Sequence, residues 1–158
     1  MTHREKFIKT LKCEPAGGQV PTFELVFSLT MEAFGKVHPS HRFYGQWNQM
    51  SRNERSLHMN EMAQLYIDTA RRYGHSAIFI HPNPDDVDST IWLLELIREK
   101  SGDEFFIMKH GDPTWSIPDG HTMLDVSIQT FDEPVYINDE SRRTLETSLQ
   151  QAGSSDGR

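Results

Sequence analysis

The sequence predicts an α/β protein whose strands run parallel, and it reads as the front part of a larger sheet or barrel. Three observations lead there. Ala77-Ile78-Phe79-Ile80 and Phe105-Phe106-Ile107-Met108 are short runs rich in β-branched and aromatic residues, each closed within a few residues by Pro, Gly, Asn or Asp. That pattern marks a buried strand ending at a loop. Between them, Asp86 to Glu99 has a helical pattern, so the order is strand, helix, strand, the signature of a parallel crossover unit. Only three segments are convincing strands, and three parallel strands alone would leave long unpaired edges. A fourth strand is expected where the chain stops.

Taken in order, His3 to Lys12 sets Phe7, Ile8 and Leu11 on one face of a short helix, which Cys13-Glu14-Pro15-Ala16-Gly17-Gly18 ends. Val20 to Phe27 (VPTFELVF) is expected to be the first strand, and Thr30 to Lys36 a helical turn. Val37 to Gln49 has no clear period and is expected to be a long loop, the kind that often carries binding residues. Ser51-Arg52-Asn53-Glu54 matches a capping box. Behind it Met59, Met62, Ala63, Tyr66, Ala70 and Tyr73 form an apolar stripe that Gly74 should stop in a left-handed conformation. In the Asp86 helix the predicted inner face is Val87, Ile91, Leu94 and Ile97. Asp119 to Thr130 is expected to be helical with Met123, Leu124 and Ile128 inward, and Asn138 to cap a last helix carrying Leu145, Leu149 and Ala152. Residues 1–152 are thus expected to form one domain portion, followed by a disordered polar tail over 153–158.

Bulk properties narrow the function. The 158 residues suffice for one domain with a sizeable core. A net charge of −7, with no basic stripe to meet phosphates, argues against a nucleic-acid partner or an acidic membrane surface. No apolar stretch approaches a membrane span, and Met1-Thr2-His3-Arg4-Glu5-Lys6 lacks the apolar core of a secretion signal. A single cysteine, Cys13, permits no internal disulfide, so the expected setting is the reducing cytoplasm.

Several segments together resemble the uroporphyrinogen decarboxylase superfamily. Arg4-Glu5-Lys6-Phe7 through Glu14-Pro15 and Val20-Pro21 resemble its first helix and strand, and Tyr66-Ile67-Asp68-Thr69-Ala70-Arg71-Arg72-Tyr73-Gly74 followed by Ala77-Ile78-Phe79 resembles the next helix–strand step. The resemblance runs from about Arg4 to Gln151 and covers the front half of a family barrel. It implies a partial (β/α)8 TIM barrel with its site at the carboxyl face of the strands. It also implies one of two chemistries: decarboxylation of a tetrapyrrole in porphyrin biosynthesis, or methyl transfer between a corrinoid protein and a thiol. The decarboxylases follow their first strand with an arginine-rich segment for the substrate's carboxylates, whereas Val20 to Lys36 contains no arginine. Their catalytic aspartate directly follows the second strand, where this chain has His81-Pro82, with Asp85 and Asp86 displaced. The methyltransferase-like branch is therefore the expected one. Its zinc, held by a His-x-Cys pair and a later Cys, would belong to a second half of the barrel, and this chain has no such motif. A non-catalytic half-barrel that completes itself through a partner, such as a homodimer, is the alternative.

The candidate catalytic residues are His81, His110, Asp112 and Glu24. The two histidines follow strand ends, where histidine can exchange protons near neutral pH; Glu24 sits among apolar neighbours in the first strand pattern. Trp115, Arg42 and Tyr44 are the candidate substrate-binding residues, as an aromatic wall and as anchors for an anionic group. Each has a plainer reading: strand-end capping for the histidines, loop packing for Trp115, Arg42, Tyr44 and Trp47. His110, Asp112, Asp119 and His121 lack recognised ligand spacing and are not assigned as a metal site.

Overall fold

The computed structural model describes residues 1–38, 46–81, 86–109, 120–132, 135, 138–139 and 141–147. Two compact units divide the chain, Met1–His110 and Gly111–Arg158. The first runs α1 (His3–Leu11), α2 (Thr30–Phe34), a 3₁₀ turn (Trp47–Gln49), α3 (Arg52–Tyr73), β1 (Ala77–Ile80), α4 (Val87–Ser101) and β2 (Phe106–Lys109); the second holds α5 (Met123–Asp132). The protein is mixed α/β and mostly helical, with a two-stranded parallel sheet.

Helix α3 begins and ends as its sequence dictates. The Ser51 hydroxyl accepts from the Glu54 N–H, while the Glu54 carboxylate accepts from the Ser51 N–H at 2.7 Å. Gly74 closes the helix at φ +69°, where a side chain would be strained. Met59, Met62, Ala63, Tyr66, Ile67 and Ala70 are buried along one side. Tyr73 ends the predicted stripe but is exposed, its ring 4.6 Å from that of Phe27. Helix α4 is capped by Asp86, whose carboxylate accepts from the Ser89 N–H at 2.9 Å. Its inner face is turned from the predicted one: Thr90, Leu93, Ile97 and Ser101 are buried and Val87 is exposed. Two small polar residues complete the packing surface, and a hydropathy pattern passes over them. The Ser101 hydroxyl satisfies itself by donating to the Ile97 carbonyl.

β1 and β2 pair in register from Ala77↔Phe106 to Ile80↔Lys109. Because side chains alternate along a strand, Ile78, Ile80 and Ile107 share one face and join the core with Leu93 and Ile97 of α4 and the buried row of α3. Ala77, Phe79, Phe106 and Met108 share the other. There the Phe7 ring stacks on Phe106 at 5.1 Å, and the Phe23 ring on Phe79 at 6.2 Å. The two faces differ in closure: Ile80 is fully buried, whereas Phe79, Phe106 and Met108 are only partly so.

The expected strand over Val20–Phe27 does not form. The segment is irregular, and Ser76 N–H to Thr22 C=O at 2.7 Å is the backbone bond that ties it to the approach to β1. Pro21 has no N–H to give a ladder, and Val20, Phe23 and Leu25 stay exposed, so neither alternating face is buried. In α1 the buried residue is Phe7, and Leu11 points to solvent. α5 starts four residues later than expected, and Met123, Leu124 and Ile128 are exposed rather than inward. Residues 138–139 and 141–147 are helical, with Leu145 exposed. Leu149, Ala152 and the tail lie outside the described residues.

Candidate functional site

Of the candidate residues, Glu24 and His81 fall within the described structure. His110, Asp112, Trp115, Arg42 and Tyr44 lie outside the described residues, as do Asp85 and Asp119.

His81 follows the last residue of β1, at the carboxyl end of the parallel pair. It is half-buried and shares the alternation of Ala77 and Phe79; its ring lies 5.1 Å from that of Phe79. Its backbone is held by Tyr66 of α3. The phenolic oxygen accepts from the His81 N–H at 3.0 Å and donates to the His81 carbonyl at 3.1 Å. The ring atom Nε2 is shielded from solvent and has no hydrogen-bond partner among the described residues. A buried polar atom left in that state loses about 1–3 kcal/mol of solvation, so such an atom marks a place where a ligand group or an ordered water completes the bond. Thr90 Oγ1, in the first turn of α4, is also shielded and has no such partner. His81 and Thr90 thus flank the connection from β1 into α4.

Glu24 is taken elsewhere. Its carboxylate is half-exposed and sits 3.9 Å from Nε2 of His75, a residue just before β1. Burial pushes the His75 imidazole below its ordinary range, and the nearby Glu24 charge opposes that shift. Glu24 and His75 line a small cavity with His38, Tyr66 and Thr69, of about 20 Å³. That is room for about one water molecule and none for a substrate. A wider, open depression of about 630 Å³ lies between the start of α3 and α4, bounded by Met50, Arg52, Arg55, Trp92 and Glu95. Its Arg55 is already engaged: the guanidinium donates to the Trp47 and Asn48 carbonyls and lies 5.5 Å over the Trp47 ring. Trp47 is accordingly a packing residue, 9% exposed.

Among the described residues no group of three or more His, Cys, Asp or Glu could hold a metal ion, and Cys13 is an exposed thiol in a turn.

Tyr66 and Thr90 were not legible as site residues in the sequence. Tyr66 lies on an apolar helical stripe and counts there as core; nothing in that pattern reveals that its hydroxyl meets the end of β1. Thr90 follows a run of helix-capping acids and gives no signal of its own. The chain matches no protein-family model, and no characterised protein or solved structure is significantly similar to it.

Proposed function

We propose that this chain is part of a (β/α) barrel enzyme of the uroporphyrinogen decarboxylase kind, with methyltransferase-like chemistry, and that His81 is its working group among the described residues. The observation that carries this reading is the state of His81. At the carboxyl end of a parallel strand its backbone is pinned at both polar groups while its ring nitrogen Nε2 waits for a partner. Ligands of parallel α/β proteins bind beyond that end of the strands. A shielded imidazole there can donate a hydrogen bond to a substrate, or take up a proton as an acceptor thiol becomes the nucleophile.

Methyl transfer is preferred to tetrapyrrole decarboxylation because residues 20–36 hold no arginine for a polycarboxylate. Of the charged residues there, Glu24, Glu32 and Lys36, the first faces a histidine. A corrinoid protein or a small methylated donor is the implied partner. A second reading, a non-catalytic half-barrel that associates with another copy, draws support from the exposed Val20, Leu25, Leu29 and Met31.

Equilibrium dialysis of the chain against methylcobalamin and against uroporphyrin separates these readings. Saturable methylcobalamin binding, weakened at least about fivefold in His81→Ala while the melting curve is unchanged, is the expected result; that factor corresponds to about one net hydrogen bond. Binding of uroporphyrin alone would move the chain to the decarboxylases. Retention of neither ligand, together with concentration-dependent self-association, would leave the half-barrel.

A further inference from the structure

We propose that Tyr66 is a positioning residue for His81, an inference that rests on the reading of His81 given above. In an extended chain the N–H and C=O of one residue point to the same edge, and in a sheet the neighbouring strand satisfies them. The β1–β2 register ends at Ile80↔Lys109, so His81 stands one residue beyond the last pair. The Phe106 N–H donates to the Ser76 carbonyl, so by alternation His81 turns its polar groups to the edge of β1 away from β2. There the Tyr66 hydroxyl stands in for a strand, accepting from the His81 N–H at 3.0 Å and donating to its carbonyl at 3.1 Å.

These bonds take no part in the β1–β2 pairing. They hold the residue after the strand. The hydroxyl is itself firmly placed: Tyr66 is 7% exposed and lies in the middle of the 22-residue helix α3. The edge of the buried His38 ring meets its ring at 5.6 Å and 86°. With its backbone fixed on one side and Phe79 at 5.1 Å on the other, the His81 imidazole keeps only its own side-chain rotations. Its Nε2 therefore moves only about χ1 and χ2 from a fixed backbone, and less ordering remains for a ligand to impose. Tyr66 also connects His38, the start of the long predicted loop, to the carboxyl end of β1.

The test is Tyr66→Phe, which keeps the ring and removes both bonds. Selective ¹⁵N-histidine labelling, with His81→Asn to assign the resonance, reads the His81 ring directly. In Tyr66→Phe the His81 ring ¹⁵N resonances should shift while those of His3, which makes no contact with Tyr66, stay in place. Methylcobalamin binding should weaken by about two- to fivefold, no more than one net hydrogen bond's free energy. Unchanged His81 resonances would overturn the proposal. If His81→Ala binds methylcobalamin as the parent does, the reading of His81 itself fails, whatever the Tyr66→Phe spectrum shows. Should Tyr66→Phe fold poorly, the parent protein supplies the second measurement: the His81 amide should exchange far more slowly than an unbonded loop amide, and fast exchange would overturn the proposal.

Discussion

Replacing Ile80 and Phe79 in turn tests the two-faced sheet. The residues are adjacent on β1 and point to opposite sides. Ile80 is 0% exposed, against neighbours such as Leu93 and Ile97 that are equally shut off, so the site has little freedom to collapse. Ile80→Ala removes three carbons, worth about 2.4 kcal/mol of transfer free energy at ~0.8 kcal/mol each. A residual cavity on the order of 40 Å³ adds about 1 kcal/mol at ~24 cal/mol per Å³. The expected loss is therefore about 3–4 kcal/mol. Phe79→Ala removes more atoms, and a fully buried phenylalanine would lose about 3–5 kcal/mol. Phe79, however, is half-buried between the rings of Phe23 and His81, on a side where solvent can fill the space left behind. About 1–1.5 kcal/mol is expected for it, allowing half the usual transfer term and no cavity term. Urea unfolding followed through Trp47 and Trp92 gives both values as midpoint shifts at constant slope. If Phe79→Ala is as damaging as Ile80→Ala, that face is as closed as the helical one, and the difference in closure between the two faces is refuted.

The remaining predictions concern a cap, a surface ion pair and a buried histidine. Ser51→Ala should lower stability by about 1 kcal/mol, because the α3 capping box loses the hydroxyl that accepts from Glu54 N–H; a loss below a few tenths of a kcal/mol in urea melts would show the cap to be idle. Glu104→Gln breaks the 2.6 Å contact with Arg71, yet both partners are substantially exposed, so the loss should stay under about 1 kcal/mol and shrink in 0.5 M salt. For His75, burial sets the folded pKa below the ordinary 6.5. As pH falls, the unfolded chain takes up this proton first, so the stability His75 contributes is complete above pH 6.5 and declines as pH drops below it. Melts from pH 7.5 to 5 should show that decline in the parent and a weaker one in His75→Gln; identical curves would refute the assignment.

His81 and Tyr66 also show why the reading concentrates on one strand end. The cavity beside Tyr66 and Phe79 is too small for anything but water, and the wider depression beside Trp92 is open, with one of its two guanidiniums engaged by backbone carbonyls. A backbone-clamped histidine with an unmet ring nitrogen is by contrast a poised group.

Local chemistry determined what could be read from the sequence. β1 was legible to the residue because four apolar residues end in His-Pro, and α3 because its capping box and Gly74 act within a few positions of themselves. The parallel pairing followed from the strand–helix–strand order, the crossover that a parallel pair requires. What tertiary structure alone decided was which of these surfaces meet. Val20–Phe27 has strand composition, but a strand exists only where a neighbour completes its bonds and covers a face, and here Val20 and Leu25 remain in solvent. The inner side of α4 turned on Thr90 and Ser101, small residues that fit where a larger apolar one would not. Glu24 meets His75, and the hydroxyl of Tyr66 reaches the backbone of His81 fifteen residues away. Those are contacts between elements, set by packing geometry, and a one-dimensional pattern of hydropathy holds no record of them.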